Sequence, residues 1–204
     1  KRALTLGTVT AQTKIYDGTT AADAGKFSAA LTNAIAGDSV AATATGAAYN
    51  SKNVAAASTI GYTGVALSGA DAGNYSLAAT TAQGAGTITA RELTLGTVAS
   101  QSKTYDGTRA ADASKFSAAL NNAVAGDNVT AAAAGATYND HNVAAARTID
   151  YTGVSLGGSD AGNYSLAATA AQGEGRITPK ELNLALTGGA RFDKTYDGTA
   201  NVAQ

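Results

Sequence analysis

The chain has 204 residues, a formal net charge of -1 and 14% charged side chains, against about 25% in an average soluble domain, so its polarity rests on Thr, Ser, Asn and Gln. It carries no basic cluster that would mark a nucleic-acid or anionic-membrane partner, and its longest uncharged stretches, such as VAATATGAAYN, are too polar to insert into a bilayer. Cysteine is absent, which removes disulfide staples, thiol catalysis and thiolate metal sites together.

In chain order, LTLGTV places Leu4 and Leu6 on one face of a first strand. KIYDGTT then runs from Lys14 through Tyr16 into a turn at Asp17 and Gly18, where glycine can take a positive φ and the carboxylate can accept a backbone N–H. ADAGKFSAALTNAIAGD spaces Phe27, Leu31 and Ile35 by four, a pattern that fits one face of a strand or of a helix. Gly25, Thr32 and Asn33 interrupt it, so a strand FSAAL followed by a turn is expected. The alternative is a short helix near 23–36, favoured by the alanines, which would make each unit α+β and β-grasp-like.

In STIGYTGVAL, Ile60 and Tyr62 alternate and Val65 and Leu67 resume one residue out of phase, which predicts a strand bulged at Gly64. NYSLAATTAQGAGTI places Tyr75, Leu77 and Ala79 on one face. Between these runs lie YDGT, AGDS, NSKN and SGADAGN, dense in turn formers. Short strands separated by close turn signals give the expected fold class, all-β: tandem sandwich-like domains in an elongated array.

The whole pattern occurs twice. Tyr16 and Tyr105 are 89 residues apart, as are Asn74 and Asn163, and DAGNYSLAAT at 71–80 returns unchanged at 160–169. A third KTYDGT opens at Lys194, so the chain reads as a piece of a longer repeat protein. A period near 90 exceeds the roughly 20–50 residues of solenoid repeats and matches a small independent domain. The expected divisions are 1–90, 91–179 and the start of a further repeat at 180–204. The junctions TITARELTL and RITPKELNL contain no Gly/Ser tract and are expected to be strands running from one domain directly into the next, a semi-rigid joint. Where the copies differ, as at Thr20/Arg109, Ser51/Asp140, Lys52/His141, Ser58/Arg147, Gly61/Asp150, Ala85/Glu174 and Thr87/Arg176, a charge is gained or exchanged, which marks solvent-facing positions.

No catalytic, cofactor-binding or metal-binding residue is assigned, and no enzyme activity is expected. His141, the only histidine, is replaced by Lys52 in the first copy, and no GxSxG, HExxH or phosphate-loop motif occurs. Asp17, Asp38, Asp71 and Asn74 recur and offer oxygen, but not at the spacing of a calcium loop; they are expected to close their own turns. Lys14, repeated as Lys103 and Lys194, sits two residues before a tyrosine that looks buried. It is expected to form an ion pair or to lie over that ring, although a covalent bond to Asn74 with Asp38 as catalyst is the less ordinary reading. Of the four tyrosines per unit, Tyr16, Tyr49, Tyr62 and Tyr75, most are needed as core in so alanine-rich a chain, and Tyr49 is the candidate for exposure.

The ordered motifs K-x-Y-D-G-T, AGD-x-V, Y-N-x-x-N-V, LSGADAGNYSL and G-x-I-T resemble the YDG-type repeat domain of large bacterial surface proteins, among them filamentous-haemagglutinin-like adhesins and biofilm matrix proteins. The resemblance implies an exported, mostly β spacer module, extracellular at a bacterial cell surface or in a secreted matrix. Its implied partners are neighbouring repeats of the same chain, with a glycan, a matrix polysaccharide or another copy of itself as further ones. Nucleic acid and membrane insertion are not among them.

Overall fold

The computed structural model describes residues 1–183 together with Thr195, Tyr196 and Gly198; Lys194, Asp197 and Thr199 of the third KTYDGT and most of 180–204 lie outside the described residues. The first repeat contains β1 (Arg2–Val9), β2 (Gln12–Ile15), β3 (Ala29–Thr32), β4 (Ala41–Thr43), β5 (Gly46–Tyr49), β6 (Thr59–Thr63), β7 (Ala66–Ser68), β8 (Tyr75–Leu77) and β9 (Thr81–Thr89). The second repeats the plan as β10 (Arg91–Val98), β11 (Gln101–Thr104), β12 (Ala118–Asn121), β13 (Thr130–Ala132), β14 (Gly135–Tyr138), β15 (Thr148–Thr152), β16 (Ser155–Gly157), β17 (Tyr164–Leu166) and β18 (Ala170–Thr178). The fold is all-β and sandwich-like. The helical pieces among the described residues are four single 3₁₀ turns, so the segment 23–36 supplies one such turn, Ala24–Lys26, and then the strand β3, not a helix. Asp23 caps that turn by accepting from the Gly25 N–H, and Asn33 ends the strand at φ 68°.

Each repeat forms a three-stranded sheet, ordered β3-β1-β8, and a four-stranded sheet, ordered β2-β9-β6-β5, with β4 and β7 paired beside them. The β1–β8 and β2–β9 pairs are parallel and the others antiparallel. The chain passes directly between the two larger sheets after β1, after β2 and after β8. Its departure from the four-stranded sheet at Gly64 explains the slipped phase in STIGYTGVAL. β6 ends at Thr63, Gly64 turns at φ 61°, and β7 pairs with β4 instead of continuing beside β5. The expected bulge is therefore a break between two strands, and a side chain at Gly64 would collide with Thr45.

The core of the first repeat gathers Phe27, Ala42, Tyr49, Ile60, Tyr62, Val65 and Ile88, with the Phe27 and Tyr62 rings 4.8 Å apart. Long rings fit between the sheets because β9 faces them with glycine. A Cβ on Gly86 would lie 2.5 Å from Ile60 Cγ1 and 2.9 Å from Tyr49 Cε1, and Gly175 meets Ile149 and Tyr138 at the same distances. The positions that gain or exchange a charge between copies are exposed, except the half-buried Ser51/Asp140 pair.

Among the described residues no strand pair crosses Ala90. β9 ends at Thr89 and β10 begins at Arg91, a one-residue link with little room to swing. Tyr16 lies just past β2, where its N–H donates to the Thr89 carbonyl at 2.9 Å. That position puts its side chain at the end of the sheet, against the second repeat.

Candidate functional site

Lys14 stands on β2 with its ammonium enclosed by the turn that follows. Nζ donates to Asp17 Oδ1 at 2.7 Å, to the Thr19 carbonyl at 2.8 Å, to Thr19 Oγ1 at 3.1 Å and to the Ala21 carbonyl at 3.0 Å, and it lies 5.3 Å from the centroid of the Tyr49 ring. Lys103 repeats every contact with Asp106, Thr108, Ala110 and Tyr138. The expected ion pair and ring contact are both present, but the ring is Tyr49, not Tyr16. Tyr49, proposed from sequence as exposed, is 4% exposed because it forms the floor of this cage. All four tyrosines of the first repeat are core.

The cage also sets the chemistry of its acid. Burial pushes the Asp17 carboxyl up, but Lys14 and the Thr19 donors outweigh it and hold the group below its ordinary value. Asp106 is held at about 2, first by the Lys103 hydrogen bond and then by the Thr108 N–H and hydroxyl. The expected Asx turn is real here, since Asp17 Oδ1 accepts from the Thr19 N–H at 2.9 Å.

Lys14, Asn74 and Asp38 are not brought together as a bond-forming trio. The ammonium is consumed by the cage, while Asp38 Oδ2 accepts from the Tyr75 hydroxyl at 2.5 Å and Asn74 is exposed. Asp38 and Asp71 do not close their own turns either: Asp71 Oδ2 reaches across to accept from the Ser39 N–H at 2.8 Å. Among the described residues no group of three His, Asp or Glu is placed to hold a metal ion. His141 is exposed, with Nδ1 3.8 Å from Asp140 Oδ1.

A second convergence of polar and aromatic groups lies at the joint between repeats, which sequence reasoning did not find. Tyr16 packs edge-on against Tyr164, with centroids 5.3 Å apart at 77°. Both hydroxyls donate to Asp127 Oδ2, at 2.8 and 2.6 Å, and the Tyr164 hydroxyl also accepts from the Val124 N–H at 3.0 Å. Arg91, just past the link, donates from Nε and Nη2 to the carbonyl and Oδ1 of Asn122 at 2.7 and 2.6 Å, and from Nη1 to the Tyr16 carbonyl at 3.4 Å. Beside it, Asn163 accepts from the Val54 N–H at 3.0 Å and donates to Asn53 Oδ1 at 3.2 Å. The apolar cluster of the first repeat runs through Tyr16 and Tyr164 to Leu93 without a gap.

The electrostatics follow from this packing. Burial, then the hydrogen bond to Asp127, pushes the Tyr16 and Tyr164 phenols above their ordinary value. The Tyr164 hydrogen bond draws the Asp127 carboxyl down, with Tyr16 and the Lys52 charge adding to it against a burial penalty. The one signal available in the sequence was the recurrence of AGD-x-V, whose Asp serves as an acceptor across a joint and not only as a turn residue.

An open groove of about 610 Å³ lies where β11 meets β18, with Arg147, Glu174 and Arg176 on its walls. Its charges belong to the second repeat alone, where the first has Ser58, Ala85 and Thr87. No helix among the described residues is long and apolar enough to cross a membrane.

The family described as YDG domain matches the chain twice, over residues 1–82 and 89–171. Comparison with curated proteins and with solved structures returned no match.

Proposed function

The chain belongs to the YDG domain family, and on that premise we propose that it is a structural spacer and interaction repeat of a large exported bacterial adhesin, extending the parent protein outward for attachment to a surface or within a biofilm matrix. The observation that carries this reading is the joint. A one-residue link, a shared carboxylate accepting two phenols, an Arg91 bridge and an asparagine clasp oppose bending between units, which is what a spacer needs to keep a distal segment away from its anchor. Caged lysines and inward glycines are stabilising devices inside each unit, and they recur in both.

The second reading is a glycan-binding module, favoured by the charged groove along β11 and β18. One experiment separates the two. Both repeats are replaced in the parent protein by two unrelated β domains of similar length. A spacer keeps surface display and attachment after the exchange; a binding module keeps display and loses attachment. Failure of antibodies against the repeats to label intact cells would remove both readings.

A further inference from the structure

In each repeat the first and last segments run side by side in the same direction. On the second repeat, Arg91 to Leu93 of β10 lie beside Tyr164 to Leu166 of β17, and Gln101 to Thr104 of β11 lie beside Gly175 to Thr178 of β18. The first repeat keeps the same register, from Arg2 beside Tyr75 to Ile15 beside Thr89. Both segments change sheet on the way and stay in step. The chain enters the unit at the start of the first segment and leaves it at the end of the last, so entry and exit lie at opposite ends of a parallel pair.

That arrangement decides how the unit answers a pull. Tension along the chain draws β10 towards its N-terminus and β18 towards its C-terminus, so the two segments can separate only by sliding past each other. The evenly spaced hydrogen bonds of a parallel ladder are then strained together, whereas strands pulled apart from one end lose them one at a time. Each sliding segment is also held on its other side, β10 by β12 and β18 by β15.

The caged lysine ties the segments further. Lys14 stands on the sliding β2, but the Thr19 and Ala21 carbonyls it holds belong to a stretch fastened to β5, where the Tyr49 N–H donates to the Thr20 carbonyl at 2.8 Å and the Ala22 N–H to the Ala47 carbonyl at 3.3 Å. β5 lies in the sheet of β9. Sliding by one residue, about 3.3 Å, pulls the ammonium against all of its acceptors at once. Lys103 is placed the same way, through Thr108 and Ala110, against β14.

We infer that each repeat is a shear clamp that carries tension along the chain, with its first and last segments as the jaws and Lys14 or Lys103 as the tie between them. The inference deepens the spacer reading and rests on it for the source of the tension, since a spacer whose far end is attached is pulled from both ends. The joint resists bending; the clamp resists stretching.

Single-molecule stretching of the full 204-residue chain tests this, with handles on introduced cysteines, since the chain has none of its own. Lys1→Cys with Lys180→Cys pulls both repeats end to end, and Thr104→Cys with Lys180→Cys peels β11 from β18 at one end of the pair; all three positions are exposed. End-to-end pulling is expected to give two breaks, each lengthening the chain by about 250 Å, the extended length of one repeat less its folded span. Peeling is expected to open the second repeat at a several-fold lower force at the same pulling rate, because forced unfolding is governed by the barrier met along the direction pulled. Equal forces in the two geometries overturn the clamp.

The tie is tested in the end-to-end geometry. Lys14→Met is expected to weaken one of the two breaks and leave the other. Ala42→Gly, in the β4–β7 pair outside both sliding segments, is expected to lower stability to urea and leave both breaks at their original force. A loss of force that follows urea stability alike in both variants would make the lysine an ordinary stabiliser and overturn its role as a tie. The exchange of repeats in the parent protein tests the spacer reading separately, so either can fail without the other.

Discussion

Tyr16 and Tyr105 end equivalent strands in two copies of one sequence, and their N–H groups donate to equivalent carbonyls, Thr89 and Thr178, at 2.9 and 2.8 Å. Yet Tyr16 is completely buried and Tyr105 only half so. The same contrast runs in the other direction for Asn163, 5% exposed, and Asn74, exposed. The units do not differ in how they fold at these points; they differ in whether another repeat among the described residues covers them. Part of what looks like core in one repeat is therefore contributed by the next, and the most repeated motif of the chain contains a residue whose full burial depends on the array.

The sharpest way to break this comparison is to truncate both tyrosines separately. Tyr16→Ala is expected to cost about 3–5 kcal/mol, the range for a fully buried aromatic, and to uncouple the repeats. Tyr105→Ala, with less area to lose, is expected to cost roughly 2 kcal/mol. Urea unfolding followed by tyrosine fluorescence measures both, since the chain has no tryptophan. Equal losses would mean that the joint contributes nothing to stability.

Changes inside the units supply the control, because they should ignore position in the array. Gly86→Ala and Gly175→Ala each push a methyl group against an isoleucine and a tyrosine, and each is expected to cost about 1–3 kcal/mol. Lys14→Met and Lys103→Met each strand two carbonyls and a carboxylate that the ammonium had satisfied, with an expected loss of about 1–3 kcal/mol. The test is the match within each pair, again by urea unfolding: a difference between repeats as large as the one expected for the tyrosines would show that the cage or the glycine row also senses the neighbour.

What could be read from the sequence follows from the range of the interaction. Alternation of Ile60 and Tyr62, the turn at Asp17 and the strand β3 are local and were legible. The slip at Gly64 was visible, but its meaning was not: a bulge and a switch between sheets leave the same mark until the partner strand is known. Tyr49 was misplaced because its partner, the ammonium of Lys14, is distant in sequence, and a tyrosine beside Asn50 in a polar string reads as loop. The glycines facing the core from β9 gave no hydrophobic signal at all, since their role is the space they leave for rings on other strands. The joint was hidden for a further reason. Repetition makes a residue that faces the next unit look identical to one that faces its own core.

The smallest effect gives the finest reading of the comparison, because it counts phenols. Asp127 accepts from two tyrosines, Tyr16 and Tyr164, whereas Asp38, its counterpart in the first repeat, accepts among the described residues from one, Tyr75. A phenol held above its ordinary value keeps its proton in the folded state when the unfolded chain, ionising near about 10, has lost it. Between those two points the folded state binds more protons, so the stability present below about pH 10 is lost as pH rises toward the folded value. For Tyr75 the hydrogen bond to Asp38 is the largest cause of its upward shift; for Tyr16 and Tyr164 burial comes first and Asp127 second. Replacing the carboxylate by a neutral amide removes only the acid's share. In a spectrophotometric alkaline titration, Asp127→Asn is therefore expected to move two tyrosines to lower pH and Asp38→Asn to move one, while the cage tyrosines Tyr49 and Tyr138, raised chiefly by burial, stay where they were. If Asp127→Asn released a single phenol, as Asp38→Asn does, Tyr16 would not be reaching across to the second repeat, and the joint would lose the contact that sets Asp127 apart from Asp38.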